Sequence, residues 1–344
     1  MKTVKQVLGI DVSQDELVVC FGKMYDDWTP EQVAAKTFEN SKKGFGDLEK
    51  WIARYAEADV TVHYVMEATG VYHESLAYWL SDNQKILSIV LPNKINSYAR
   101  SLDIKTVTDK TSAYAIMLFG LERKLDHWKK PHPVYKAMRQ LTRERSQLIV
   151  ERTALKNQLH AEQSESEPFK SSIERVKKRI SLLDKQEVSI MEELDALIAS
   201  HPETKRLIKL ICTLPGIGKL TAAIILCETN GFDLIRNKRQ LTSYAGLDVK
   251  EKLSGTSVKG KPRISKRGNR NIRKAMYMPA LAAIKSDERY KAIFARIVAR
   301  NGIKMKAGVA VQRKLLEMTF VIFKKGTPYD KTYLKDKHQE VSEY

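Results

Sequence analysis

Three carboxylates have the placement to do phosphoryl chemistry together. Asp11 closes the apolar run VLGID, and Glu67 holds the same kind of place in VHYVMEATG. Both runs read as strands, so both acids fall at strand ends. Asp109 lies in TVTDKTS, just ahead of a helical pattern. Acids at adjacent strand ends, with a third from a helix start, can share a Mg²⁺ ion. Such hard cations take carboxylate oxygens and leave positions open for substrate phosphate. Each acid also has a structural reading. Asp11 suits a turn cap, Glu67 an ion pair and Asp109 a helix N-cap. Their joint placement in one α/β domain of a basic protein shifts the balance to a nuclease-like site.

A second chemical stretch is LSGTSVKGKPRISKRGNRNIRKA, residues 253–275. Ser254, Thr256 and Ser257 precede a run of bases, Lys259, Lys261, Arg263, Lys266, Arg267, Arg270, Arg273 and Lys274, without one acid. An alcohol attacks a phosphodiester only if its proton is taken up, and a metal or base lowers that cost. Gly255 lets backbone approach a nucleic acid closely. The bases can hold phosphates and stabilise transition-state charge. Residue type ranks the three hydroxyls equally, and each ranks below a plain flexible loop. A third candidate is LPGIG, where Gly216, Gly218 and Lys219 open a helix whose first N–H groups are unpaired and suit a phosphate. That spacing fits a helix-hairpin-helix DNA contact and, equally, a glycine turn between packed helices.

The chain of 344 residues carries a formal charge of +19, which favours a polyanion partner. Its 43% hydrophobic and 8% aromatic content belongs to a folded protein. Apolar runs stop well short of the roughly 20 residues a spanning helix needs. MKTVKQVLGID reaches Asp11 before a signal core can form. The expectation is therefore no membrane and a cytoplasmic location. Cys20, Cys212 and Cys227 are too scattered for a disulfide framework or zinc site, and the last two read as buried thiols. No GxxxxGK[ST] loop is present, so no dependence on ATP is expected.

The elements that must position these residues fall into blocks. Residues 1–130 read as strand, strand, strand, helix, strand, helix, strand and a further apolar helix, an α/β domain with a mixed sheet. In 131–200, Leu141, Leu148 and Leu155 recur every seven residues. Ile173, Val176, Ile180, Leu183, Ile190, Leu194 and Leu197 then form an a/d seam broken only by Glu187. This predicts an antiparallel coiled-coil hairpin or pairing with another chain. Residues 201–330 read as mainly helical, with NRNIRKAMYMPALAAI and KAGVAVQRKLLEMTFVIFKKG as closing helices. Residues 331–344 read as a polar tail.

GIDVSQDEL, EATGVYHESLA, VTDK, LPGIG, TSYAGL, SGTSVKG, SKRGN and RKAMYMPAL, in this order, together resemble the DEDD transposases of insertion sequences, a group that includes the Piv-type pilin-gene invertases. The resemblance implies an RNase H-like, RuvC-like N-terminal domain, a coiled-coil middle and a C-terminal transposase domain with a serine nucleophile. It assigns the first three acids of the signature to Asp11, Glu67 and Asp109, and the nucleophile to Ser254, with Ser257 as fallback. Ser265 becomes a phosphate contact or helix cap. The fourth acid is expected three residues after the third, but TDKTSA places Ser112 there. Either three carboxylates suffice, or Ser112 lends a weaker oxygen, or Asp103 substitutes. The resemblance further implies donor and target DNA as substrates, a structured RNA encoded by the element as guide, and a homodimer or homotetramer. Two alternatives stand beside it: a hydrolytic nuclease in which the serine loop only binds, and a non-catalytic nucleic-acid-binding copy.

Overall fold

The computed structural model describes residues 1–68, 70–102, 106, 108–250, 253–254, 258–259 and 263–330, those at 253–254, 258–259 and 301 by backbone alone. Asp103, Gly255, Thr256, Ser257, Lys261 and the 331–344 tail lie outside the described residues, as do the side chains of Ser254 and Lys259. The chain divides into two units, Met1–Lys130 and Pro131–Tyr344.

The first unit is built on a mixed sheet. β1 (Thr3–Val12), β2 (Glu16–Tyr25) and β3 (Pro30–Glu39) form an antiparallel meander. α1 (Lys42–Ile52) then crosses to β4 (Val62–Glu67), which runs parallel to β1. α2 (Glu74–Asp82) leads to β5 (Ile86–Val90), parallel to β4, giving the order β3-β2-β1-β4-β5. Pro92, a residue type that suits a strand stop, follows β5 and opens α3 (Pro92–Ser101), a helix whose proline at the first turn costs no hydrogen bond. α4 (Asp109–Glu122) completes the unit.

Period-two alternation makes β1 the centre of two cores. Leu8, Ile10 and Val12 pack with Phe45, Leu48, Trp51, Leu76 and Leu80 on the α1/α2 side. Val7 packs with Val65, Cys20, Ile116 and Met117 on the α4 side. Gly9 and Asp11 share the parity of Val7 and so face α4. The Lys5 ammonium secures the far end of that helix by donating to the carbonyls of Gly120, Leu121 (3.0 Å) and Arg123 (2.9 Å). These are the carbonyls a helix C-terminus leaves unpaired.

The second unit opens with α5 (Pro133–Gln163) and α6 (Lys170–Ala199). They pair with each other as an antiparallel hairpin. Arg152 reaches Asp184 at 2.7 Å, and Arg179 reaches Gln158. Glu187, the acid in the apolar seam, is held between Arg145 (2.6 Å) and Arg152. The rest is helical: α7 (Pro202–Ile211), α8 (Lys219–Glu228) and α9 (Lys238–Tyr244), then α10 (Arg270–Ala275), α11 (Tyr277–Ser286), α12 (Glu288–Asn301) and α13 (Lys304–Lys325). The predicted continuous helix NRNIRKAMYMPALAAI is broken at Met276, which ends α10 and begins α11. Cys227 is fully buried, whereas Cys212 is only half-buried. Between α9 and α10 lie four two-residue strands, β6 (Val249–Lys250), β7 (Leu253–Ser254), β8 (Val258–Lys259) and β9 (Arg263–Ile264). Among the described residues no helix is long and apolar enough to cross a membrane.

Candidate functional site

The acid site is set by register and by one close approach. Ile10 pairs with Met66 across the parallel strands, so the next rung puts Asp11 beside Glu67. α4 crosses β1 at Gly9, where an added Cβ would stand 2.3 Å from the Met117 nitrogen and 2.5 Å from the Ala113 oxygen. Only a glycine permits that contact. Ala113 sits over Gly9, so the preceding turn of α4 carries Ser112 and Asp109 over Asp11.

The electrostatics agree. Burial pushes the Asp11 carboxyl above the usual carboxylate range, and the charge of Asp109 pushes it further. The Val12 backbone and the Ser112 hydroxyl, both hydrogen-bonded to Asp11, pull the other way. Glu67 is likewise raised, first by burial and then by Asp11. Asp11 is thus the hub of the set. Among the described residues no three His, Cys, Asp or Glu are gathered tightly enough to hold one metal ion. The acids stand as neighbouring pairs rather than as a closed shell. Their donor chemistry nevertheless fits a hard divalent ion: three carboxylates and a hydroxyl, two of the acids disfavoured as anions by burial and by each other.

Asp109 is not an N-cap. Thr108 occupies that position, accepting from the Thr111 N–H while the Thr111 hydroxyl accepts from the Thr108 N–H. The threonine pair leaves the exposed Asp109 carboxylate free of capping. His63 on β4 is engaged with the neighbouring strand. Its Nε2 bonds the buried Ser88 hydroxyl at 2.8 Å, and Ser88 donates onward to the Asp126 carbonyl. Trp128 packs against Tyr78, and its backbone N–H donates to the Leu87 carbonyl.

In the second unit, the serine stretch forms a β-ribbon. Val249 pairs Ile264 and Lys250 pairs Arg263, then Leu253 pairs Lys259 and Ser254 pairs Val258. Ser254, paired with Val258, ends β7. The foot of the ribbon is fixed by Gly246 (φ 67°) and Gly268 (φ 149°), with the Lys266 N–H on Gly246 O and the Asn269 N–H on Tyr244 O. Ser265 bonds Asp248 and caps no helix; Asn269 caps α10.

The LPGIG turn takes the packing role more than the phosphate role. Gly216 (φ 80°) would drive a Cβ to 2.4 Å from the Pro279 carbonyl oxygen, so the turn sits on α11. Lys219 is engaged by Asp195 at 2.6 Å, although Gly218 is open. Arg263, Lys266, Arg267 and Arg270 are all exposed.

Comparison with known proteins decides the family. Pilin gene-inverting proteins of Moraxella bovis and Moraxella lacunata are each 31% identical over 335 residues, 95% of this chain and 98% of theirs. A model of DEDD transposases matches residues 8–162, and the Transposase IS116/IS110/IS902 family model matches 208–295. The chain belongs to this transposase family. Among solved structures, Thermus thermophilus RuvC with a Holliday junction substrate aligns with 36% of this chain and 99% of its own, at 9% identity and a TM-score of 0.28. The family assignment rests on the sequence match along the whole chain.

Within this family Ser112 is the departure, a hydroxyl where the resemblance leads one to expect the fourth acid. It bonds Asp11 instead of repelling it. A network that sequence reading missed lies in the second unit. Glu228, 2% exposed, accepts Arg143 Nε and Nη2 (both 2.8 Å), Asn269 Nδ2 (2.6 Å) and Asn271 Nδ2 (2.7 Å). Burial raises its carboxyl, but these donors together outweigh burial and hold it below the usual range. The one local signal was an acid ending the apolar helix run IILCE.

Proposed function

We propose that this transposase cuts and rejoins DNA, with strand cleavage depending on Asp11, Glu67 and Asp109. The observation that carries the reading is Asp11, half-buried at the β1 strand end, loaded by the charge of Asp109, acting on Glu67 and hydrogen-bonded to Ser112. Like charges placed together at a half-buried spot are costly unless a cation or a charged substrate group uses them. The strand order β3-β2-β1-β4-β5, with a meander followed by two parallel strands, is that of an RNase H-type sheet, which supports the RuvC-like description. Mg²⁺ held by the three acids and Ser112 would supply charge stabilisation at the scissile phosphate. Asp11 and Glu67 would hold it from the ends of β1 and β4, and Asp109 and Ser112 would reach it from the start of α4.

Ser254 enters as the second reading, favoured by its position at the end of β7. Its hydroxyl oxygen would bond to phosphorus while the bond from phosphorus to a sugar oxygen breaks. The leaving oxygen takes up a proton, and rejoining reverses the exchange without ATP. Under the hydrolytic reading water attacks instead, and the ribbon only binds. An RNA encoded by the element is the further partner the family resemblance implies, and the +19 charge accommodates it.

Labelled donor-end DNA, incubated with protein, Mg²⁺ and candidate element RNA, separates the readings on a denaturing gel. A protein–DNA adduct lost in Ser254→Ala and in Asp11→Asn supports the serine. Cleavage without an adduct, kept in Ser254→Ala and lost in Asp11→Asn, supports hydrolysis. Binding with neither leaves a non-catalytic protein.

A further inference from the structure

A cleft of about 400 Å³ runs between α5 and α10 in the second unit, lined among others by Arg143, Ser146, Arg270 and Lys274. A neighbouring cavity of about 270 Å³ shares Arg143, Ser146 and Lys274 and reaches inward to Glu228. Two acids border this space. Glu151 is exposed on the wall, and Glu228 is saturated by four hydrogen bonds. The balance along the cleft is therefore cationic.

The cleft is built rather than incidental. Arg143 places two of its donors on a carboxylate that is 2% exposed, yet its own side chain is 52% exposed. A guanidinium has five N–H donors, so Glu228 fixes the plane of Arg143 and leaves donors facing the cleft. The same carboxylate holds Asn269 and Asn271, which flank Arg270 in sequence. Arg270 is thus set between two pinned asparagines at the foot of the serine ribbon. Lys274, one turn further along α10, donates to Ser146 on α5 at 3.1 Å. Burying an ionised carboxylate with one exposed arginine is an uneconomical way to join two helices. It is an effective way to pre-orient cations.

We propose that this cleft seats the phosphodiester backbone of a DNA duplex. Arg143, Arg270 and Lys274 are its cations, and Ser146 is a neutral donor. Glu228 is a positioning residue and does not touch the DNA. The cleft lies between two helices and carries cations from both, which suits a strand passing between them. The proposal rests on the reading of the chain as a DNA-acting enzyme and adds a place where the duplex is held.

Binding of a fluorescent DNA duplex by the full chain, followed by anisotropy across a salt series, tests it. Each neutralised phosphate contributes about 0.9 to the slope of log K against log salt. Arg270→Ala with Lys274→Ala should flatten the slope by about 2 and weaken binding at least tenfold at moderate salt. Lys285→Ala with Arg296→Ala, which removes two exposed cations outside the cleft, should leave the slope as in wild type. Arg270→Lys with Lys274→Arg keeps the charges and should keep the slope, which separates contact from folding damage. Equal slopes in the cleft double variant and the wild type would overturn the proposal. So would flattening seen with a labelled RNA duplex and not with DNA. If wild type binds no DNA at all, the functional reading itself fails, which is a different outcome.

Discussion

Gly9 on β1 and Met117 on α4 stand so close that a methyl group on Gly9 would lie 2.3 Å from the Met117 backbone nitrogen. This contact sets the height of α4 above the sheet, and so the distance from Asp109 and Ser112 down to Asp11. With Lys5 holding the other end of the helix, α4 is fixed at both ends.

Gly9→Ala should therefore lift α4, and the backbone atoms it meets cannot rotate away. The expected cost is about 3 kcal/mol, the upper range for overpacking, read as a lowered melting temperature of the first unit. Catalytic loss should exceed what partial unfolding explains, because Asp109 moves with the helix.

Asp11→Asn should raise thermal stability in chelator while removing activity. Burial and the Asp109 charge both disfavour the Asp11 anion, so a neutral amide relieves them, by on the order of 1 kcal/mol. Mg²⁺ should stabilise wild type by mass action and leave Asp11→Asn unshifted. Differential scanning calorimetry with and without Mg²⁺ reads both effects.

Ser112→Asp completes a four-acid set. In chelator it should lower the melting temperature, since it replaces a hydrogen bond to Asp11 with a repelling charge. Added Mg²⁺ should recover more stability than it does in wild type. Ser112→Ala loses only the hydrogen bond, about 1 kcal/mol, and should keep most cleavage. Cleavage abolished by Ser112→Ala would make the hydroxyl indispensable.

His63 gives a pH signature. Burial first, then the charge of Lys5 and the neighbouring His127, lower its pKa to about 4 from 6.5. Folding therefore requires the neutral ring. Its contribution is fully present above about pH 6.5 and is lost progressively as pH falls toward 4, by up to roughly 3 kcal/mol. Asp11 and Glu67, raised by burial, act with the opposite sign. The test is thus the difference between wild type and His63→Gln in urea melts at each pH. That difference should shrink from pH 7 to pH 4.5.

What the sequence made legible was local. Asp11 and Glu67 could be found because each ends an apolar run, and a strand end is a local property. The N-cap alternative for Asp109 was misplaced by one residue, since Thr108 and Thr111 satisfy the helix start between themselves. The approach of α4 to Gly9 joins positions about a hundred residues apart, and no periodicity reports it. The same holds for Glu228, whose partners Arg143, Asn269 and Asn271 are 41 to 85 residues away. The helix α3 was hidden because Pro92 reads equally as a strand stop and as a first helical residue. The ribbon carrying Ser254 was read as a loop, since its two-residue strands are too short for an alternating pattern.

The most direct measurement is the rate of DNA strand cleavage by wild type and Asp11→Asn at saturating Mg²⁺, with equal DNA binding confirmed for both. The account predicts a loss of at least about a hundredfold in the variant, with DNA binding unchanged. Cleavage by Asp11→Asn at the wild-type rate would contradict it and move the chemistry away from the β1 strand end.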